Sequence, residues 1–364
     1  MDVIIAESDA IRTYRLARRE AAPLRVEPTK EIPHDFVYGS SLSFGSKVIP
    51  ILVTLGIVTQ NESLHLRFPS LASRRRLDKV SAHVSTSPLP TGSFWRIIPV
   101  DRQIARKLAV DGVRLFVDSP QLCVLSAAAH AQRACSEAPL TQRVVPLGRT
   151  IACASEVCGL YALDPCNPRG GRPSYGCEPL INTGDLNDYL SQACNIDGLR
   201  IARAAGSFVA DGQGSPAEVA LHAGLILSPR LGGFHLERPV TNQSMNLSLQ
   251  QLACMKHGVI TPDLYWERYG LVIEYDGSDH FTAEGAREDK RRMYDYQALG
   301  LTVLPATWKD LRSVDAFDSF VRVVTRVMER KDGPSLRRRI NKTLANKDAH
   351  SCRSLLLSAI QTAT

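Results

Sequence analysis

The 364-residue sequence lacks the features that mark membrane, secreted or disulfide-stabilised proteins. Its longest apolar run, 48–58, is shorter than the roughly 20 residues that span a bilayer, and Pro50, Thr54 and Gly56 interrupt it. The N-terminus lacks the basic-then-apolar pattern of a secretory signal, so we expect a cytoplasmic protein. Nine cysteines, an odd number in a long chain, do not indicate a disulfide framework.

Aromatic residues are also scarce, at 6% of the chain, but hydrophobic residues make up 44% and charged residues 22%. This composition excludes a disordered or collagen-like protein. A chain of this length removes roughly three quarters of its unfolded surface from water, and its length suggests about two domains.

The net charge of +7 is unevenly distributed along the chain. Residues 211–318 carry 15 acidic and 10 basic side chains, whereas the segments on both sides of them are basic. Carboxylates gathered around metal ions beside surfaces that hold phosphate would give this pattern. Ordinary solvated surface also gives it, and the charges alone favour that explanation.

Changes in pattern along the chain predict four segments. These are a helical segment at 1–62, a mixed α+β domain at 63–210, an α/β domain at 211–330 and a basic tail at 331–364. The turn-rich stretch DGQGSPA at 211–217 separates the second segment from the third. The third is predicted in the order αββαβα, which becomes αβββαβα if the loop before residue 259 contains another strand.

Two short β-like runs contain the candidate chemistry. They are TPDLYWE at 261–267 and LVIEYDG at 271–277. Alternate residues of a strand share a face, so Glu274 and Asp276 point the same way. If an even-numbered loop joins the runs as a hairpin, Asp263 lies opposite Glu274. An odd-numbered loop would shift the register by one residue and separate them.

Opposed carboxylates repel one another, so their clustering favours a divalent cation that neutralises them. Oxygen ligands of this kind suit Mg²⁺ or Mn²⁺. The alternative makes Asp263 a turn residue and leaves Glu274 and Asp276 at a solvated strand end. The apolar run LVIEYDG favours the metal, because an acidic residue in a buried strand costs desolvation energy that needs compensation.

These runs resemble the PD-(D/E)XK nuclease superfamily, specifically the branch of endonuclease-like domains related to very-short-patch-repair endonucleases. The resemblance covers about residues 214–330. The motifs that carry it are Pro262-Asp263, Glu274-Tyr275-Asp276-Gly277 with His280, Asp289 with Arg292, a strand at 301–304, and Trp308 with Leu311. It implies a restriction-endonuclease-like mixed sheet flanked by helices, preceded here by a mixed α+β domain.

The resemblance also implies the roles of individual residues. It assigns catalysis to Asp263, Glu274, Asp276 and His280, metal binding to Asp263, Glu274 and Asp276, and support of the site to Glu218, Asp289, Arg292 and Gln297. Asp276 stands where the superfamily has a lysine, and Gln297 is a weaker candidate to replace that lysine.

Each supporting role has a simpler alternative. Glu218 lies three residues after Ser215, so the pair could form a capping box instead. His280 could be an ordinary surface histidine. Asp289 and Arg292 could form an ion pair within one helix.

The N-terminal half resembles, less specifically, the abortive-infection-type antitoxin module of type IV toxin–antitoxin systems. The matching stretches lie at 73–76, 83–85 and 113–127. Arg74, Arg75 and Arg76 are candidates for nucleic-acid contact, with a surface loop as the alternative. In the tail, Arg337, Arg338 and Arg339 suit contact with a duplex backbone, with a solvated tail as the alternative.

The sequence therefore predicts a Mg²⁺- or Mn²⁺-dependent endonuclease that hydrolyses DNA phosphodiesters. Its expected partner is double-stranded DNA and not a membrane. A partner protein encoded nearby and a homodimer are left open. The alternative function is a non-catalytic DNA-binding or antitoxin-like regulator that retains the nuclease fold.

Overall fold

The computed structural model describes residues 1–33, 41–59, 62–68, 79–85, 87–135, 138–253, 255, 259–276 and 283–362, with only the backbone described at 41–43 and 283–290. The chain forms two compact units. Unit 1 contains Met1–Ala134 and Tyr161–Ser207, and unit 2 contains Cys135–Leu160 and Phe208–Ala363. None of the described helices is long and apolar enough to cross a membrane.

The described chain contains both strands and helices. The strands are β1 (Asp2–Ile5), β2 (Leu24–Pro28), β3 (Leu64–Phe68), β4 (Val80–Val84), β5 (Phe94–Pro99), β6 (Arg114–Asp118), β7 (Tyr161–Ala162), β8 (Ser174–Tyr175), β9 (Val240–Thr241), β10 (Leu264–Trp266), β11 (Leu271–Asp276) and β12 (Thr302–Thr307). The helices are α1 (Glu7–Ala17), α2 (Ser41–Lys47), α3 (Ile49–Thr54), α4 (Arg102–Val110), α5 (Pro120–Arg133), α6 (Pro139–Cys158), α7 (Thr183–Gln192), α8 (Leu199–Gly206), α9 (Pro216–Ile226), α10 (Leu249–Ala253), α11 (Ala283–Ala298), α12 (Trp308–Leu311), α13 (Val314–Asp332), α14 (Pro334–Leu344) and α15 (Lys347–Gln361).

Unit 1 is built on a six-stranded sheet in the order β2-β5-β6-β1-β3-β4. The β1–β6 and β3–β4 pairs are parallel, and the others are antiparallel. Ser119 caps helix α5 by accepting the N–H of Leu122, and Pro120 occupies its first position. The apolar faces of β1, β3 and β6 pack into the core of unit 1.

A buried ion pair lies beside this core. Both carboxylate oxygens of Asp118, at the end of β6, accept hydrogen bonds of 2.6 Å from the guanidinium of Arg67 on β3. Arg67 also donates to the hydroxyl oxygens of Ser85 and Ser126. The Asp118 side chain is fully buried and that of Arg67 is 8% exposed, so each charge depends on the other for compensation.

Unit 2 contains a four-stranded mixed sheet in the order β12-β11-β10-β9. Strands β9, β10 and β11 pair antiparallel, and β12 returns parallel to β11 after α11. The loop before residue 259 contains β9 and the short helix α10, so the order of these elements is α9-β9-α10-β10-β11-α11-β12. The predicted order αββαβα is wrong because it lacks β9. The alternative order with a third strand has the correct strands, and neither order includes α10.

In unit 2, helix α15 packs on α6 and α9. Gly148 of α6 permits the close approach, because a Cβ atom there would lie 2.9 Å from the Cβ atom of Ala359 on α15. The fold class is thus mixed α/β, with sheets flanked by helices.

The structure divides the chain differently from the sequence prediction. Strands β1 and β2, from the segment predicted as helical at 1–62, belong to the same sheet as β3–β6. Helix α6, predicted within 63–210, belongs to unit 2. In its described part, the predicted tail at 331–364 contains the end of α13 followed by α14 and α15. Apolar residues such as Leu356 and Ile360 are buried there, so this segment is part of unit 2 and is not a solvated tail.

Arg353 shows how far α15 is integrated into unit 2. Its side chain is fully buried, forms an ion pair of 2.8 Å with Asp318 and lies 4.0 Å above the ring of Phe234. A basic residue in the predicted tail is therefore part of the core.

We expect Asp118→Asn to destabilise unit 1 by about 3–5 kcal/mol, because it leaves the Arg67 charge buried without a counter-charge. The matched control is Asp111→Asn, which breaks the ion pair of 2.9 Å with half-exposed Lys47 and should cost at most about 1 kcal/mol. Native-state hydrogen exchange of the β6 amides measures both effects. Equal losses in the two variants would contradict this account of the buried pair.

Candidate functional site

The predicted hairpin is formed by β10 and β11, and its register is the predicted one. Trp266 pairs with Leu271, and Leu264 pairs with Ile273. The turn contains four residues and ends at Gly270, whose φ of 54° lies in the left-handed region that glycine adopts readily. Because the turn contains an even number of residues, the side chains of paired residues lie on the same face of the sheet.

This register brings Asp263 beside the end of β11. Asp263 directly precedes β10, and its Oδ2 atom accepts the backbone N–H of Tyr275 at 2.7 Å. The neighbouring Glu274 is on β11, with a side chain that is 17% exposed. The hairpin thus fixes the first carboxylate against the backbone of the strand that carries the second.

Glu218 reaches the same place from the first turn of α9. Its carboxylate accepts hydrogen bonds from the Gly214 N–H, the Ser215 hydroxyl and the Asn242 amide, at 2.8–2.9 Å. Ser215 caps the helix by accepting the N–H of Glu218. Glu218 thus contacts the backbone N–H of Gly214, not the Ser215 amide expected of a capping box, and its side chain also lines the cavity shared with Asp263 and Glu274.

These carboxylates line a cavity of about 270 Å³. Its walls combine the ends of β11 and β12 with one face of α11 and the start of α9. The lining residues are Glu218, Asp263, Glu274, Tyr275, Asp276, Arg292, Met293, Tyr296 and Pro305. Several residues predicted from separate sequence motifs therefore line the same cavity.

Burial and mutual repulsion oppose ionisation of the carboxylates. The pKa of Asp263 is raised from 3.8 to about 8, first by burial and then by the negative charges of Glu218 and Glu274. The pKa of Glu274 is raised as well, chiefly by burial. A cation placed among them would offset both effects.

Two residues of α11 contact Glu274. Arg292 Nη1 donates to Oε2 at 3.2 Å, and the Tyr296 hydroxyl donates to Oε1. Sequence reasoning found Arg292 but missed Tyr296. The signal was available, because Asp289, Arg292 and Tyr296 are spaced three and four residues apart, which places them on one helix face.

The remaining predicted site residues differ in where they lie. Asp276 is exposed at the end of β11 and lines the cavity. Gln297, the candidate replacement for the superfamily lysine, is exposed on α11 and is absent from the described cavity wall, because it follows Tyr296 and turns to another side of the helix. His280, Arg74, Arg75, Arg76 and the Asp289 side chain lie outside the described residues.

The three arginines predicted to contact DNA lie on α14 and differ in their surroundings. Arg339 donates to the carbonyl oxygens of Phe234 and His235 at 2.8 and 3.1 Å, which ties α14 to the rest of unit 2. Arg337 is 57% exposed and forms an ion pair with Glu329. Arg338 is exposed. Arg339 therefore has a structural contact that the sequence did not reveal.

Comparison with known proteins identifies no relative: no family model, no curated protein and no solved structure matches this chain.

We expect Asp263→Asn to flatten the pH dependence of unfolding in the presence of EDTA. A carboxyl group whose pKa is raised on folding binds more protons in the folded state, so its contribution to stability falls as pH rises from 3.8 to about 8. The asparagine variant lacks this contribution, and its advantage over the wild type should grow across that interval. Urea denaturation at several pH values measures it. If the difference in the free energy of unfolding between the variant and the wild type does not change with pH, Asp263 is already ionised at low pH.

Proposed function

We propose that unit 2 is a divalent-metal-dependent endonuclease domain that hydrolyses DNA phosphodiesters, with double-stranded DNA as substrate. The observation that carries this proposal is the convergence of Asp263, Glu274 and Asp276 on one cavity, with Glu218 beside them. Hydrogen bonds hold Asp263 and Glu274 in place, so the arrangement does not depend on flexible surface side chains.

The order of secondary structure elements also supports the proposal. Apart from the short helix α10, unit 2 has a helix, three antiparallel strands, a helix and a parallel strand, which gives the mixed sheet flanked by helices that the resemblance implies. The carboxylates lie where two neighbouring strands end, and α9 and α11 supply the remaining walls. We therefore assign the restriction-endonuclease-like fold as part of the same proposal.

Carboxylate oxygens suit a hard divalent cation, and four carboxylates line one cavity, where burial and then the charges of Glu218 and Glu274 raise the pKa of Asp263. Among the described residues, no three of these side chains bring ligand atoms within 4.8 Å of one another, so binding an ion would require them to move closer together. Asp263, Glu274 and Asp276 would hold Mg²⁺ or Mn²⁺. When bound, such an ion lowers the pKa of a coordinated water and stabilises charge on a phosphodiester.

The residues around Glu274 have a positioning role. Tyr296 and Arg292 each engage one of its carboxylate oxygens, which limits rotation of the side chain. Arg292 is 41% exposed, so its positive charge also reaches the part of the site that would receive a phosphate. The Tyr275 N–H fixes Asp263 in the same way.

The alternative function is a DNA-binding regulator that retains this fold without turnover. The ion pair between Arg292 and Glu274 favours it, because a built-in cation already compensates one of the carboxylates. The aspartate at position 276, where the superfamily has a lysine, favours it as well. Metal binding and cleavage therefore need separate tests.

We expect Mg²⁺ to raise the melting temperature of the wild type, because an ion that binds only the folded state stabilises it, by about 2.7 kcal/mol at 100 times its Kd. The double variant Asp263→Asn/Glu274→Gln should lose this response and be at least as stable as the wild type in EDTA. Glu267→Gln, which removes an exposed carboxylate of the hairpin turn, is the matched control and should respond normally. An undiminished response of the double variant would place the metal elsewhere.

Cleavage is expected to depend on Glu274 more strongly than DNA binding does. Glu274→Ala removes a proposed metal ligand and with it several kcal/mol of transition-state stabilisation, so plasmid cleavage should fall below detection. Binding of the same DNA in Ca²⁺ should change little, and Glu267→Gln should cut normally. If Asp276 is a ligand, Asp276→Lys is inactive as well.

One result would favour the regulator over the endonuclease. In that result, the wild-type protein binds duplex DNA but cuts no single-stranded, double-stranded or mismatched DNA with Mg²⁺, Mn²⁺ or Co²⁺.

A further inference from the structure

A second cluster of potential metal ligands lies in unit 1, apart from the carboxylates of unit 2. It consists of Glu7, His65 and His83. One ligand atom from each side chain lies within 4.8 Å of the others. The Nδ1 atom of His65 is 2.9 Å from Nε2 of His83, and Nδ1 of His83 is 3.2 Å from the Glu7 carboxylate.

The sheet brings the two histidines together. Strands β3 and β4 run parallel, with His65 opposite Ser81 and Arg67 opposite His83. His65 and His83 are thus two steps apart in the register, on the same face of neighbouring strands. Their rings are stacked, with centroids 5.0 Å apart and planes inclined by 15°.

The backbone of the connection between β1 and α1 fixes this arrangement. The His65 N–H donates to Oδ2 of Asp9 at 2.7 Å, and its carbonyl oxygen accepts the N–H of Ala6 at 2.9 Å. His65 is therefore held on both sides by the residues that flank Glu7.

Glu7 itself has an unusual backbone conformation, with a φ of 52° at the start of α1. Left-handed φ values strain residues other than glycine, asparagine and aspartate, and such strain is concentrated at functional sites. The strained conformation places the Glu7 carboxylate beside His83, where its side chain is only 13% exposed.

We propose that Glu7, His65 and His83 bind a first-row transition-metal ion, with Zn²⁺ as its representative. Two imidazole nitrogens and one carboxylate oxygen form a donor set that Zn²⁺ prefers, whereas Mg²⁺ prefers oxygen alone. Three protein ligands leave a fourth position for water or a substrate atom. Arg133 lies 4.0 Å from Glu7 but is 58% exposed, so solvent screens its charge.

The same geometry has one competing explanation. The short separation between the two rings also suits a hydrogen-bonded chain in which Glu7 accepts from His83 and His83 accepts from His65. A chain of this kind satisfies the side chains through protons alone and has no need of a metal. The experiment must therefore distinguish a bound ion from a shared proton.

The test uses the full chain in the Asp263→Asn/Glu274→Gln background, so that the carboxylate site of unit 2 does not contribute. Calorimetry measures Zn²⁺ binding, and the absorption spectrum of added Co²⁺ reports the ligand type. We expect one Zn²⁺ per chain and a Co²⁺ spectrum without a thiolate charge-transfer band, because the cluster contains no cysteine.

Glu7→Gln and His83→Gln in this background should weaken Zn²⁺ binding by more than about 100-fold, beyond the 10–100-fold losses seen when residues behind the ligands are changed. His350→Gln, which replaces a histidine of unit 2 that is 43% exposed, is the matched control and should bind normally. Circular dichroism in EDTA verifies that each variant is folded.

Two results would overturn the proposal. Zn²⁺ binding that is unchanged in both ligand variants would place the ion elsewhere. No binding at micromolar Zn²⁺ by the folded background protein would leave the trio as a hydrogen-bonded chain. Neither result bears on the endonuclease proposal, since the carboxylate site is disabled throughout.

Discussion

The burial of Asp263 and Glu274 close to each other and to Glu218 is the constraint on which the carboxylate site of unit 2 depends. Three negative charges around one partly buried cavity oppose folding unless hydrogen bonds, cations or protons compensate them. Each carboxylate has its own compensation: three donors around Glu218, the Tyr275 N–H for Asp263, and Arg292 with Tyr296 for Glu274. The elements that surround the sheet supply these donors, so fold and site are stabilised together.

This compensation is incomplete. Burial, together with the charges of Glu218 and Glu274, raises the pKa of Asp263 to about 8 despite the Tyr275 hydrogen bond. In the proposed metal site, a divalent cation would supply positive charge that offsets both effects. The Arg292–Glu274 pair meets part of the same need from within the protein, which is why the regulator remains the alternative to the enzyme.

The two proposed metal sites contain different ligand atoms, and in each unit the geometry of the sheet determines which side chains lie together. In unit 2, the end of a hairpin gathers oxygen ligands, which suit Mg²⁺ or Mn²⁺. In unit 1, neighbouring parallel strands place two histidines on one face beside a glutamate whose backbone is strained. The buried Arg67–Asp118 pair joins β3, which carries His65, to β6 of the same sheet.

The sequence by itself predicted the β10–β11 hairpin, because strand alternation is a local property of adjacent residues. It placed Asp263 opposite Glu274 only on the condition of an even-numbered turn, and the structure decided that condition. Only the tertiary structure decided that Tyr296 holds Glu274, that Arg339 and Arg353 are structural, and that Glu7, His65 and His83 meet. These contacts join residues far apart in the chain, and their partners depend on how helices and strands pack. Local periodicity carries no information about that packing.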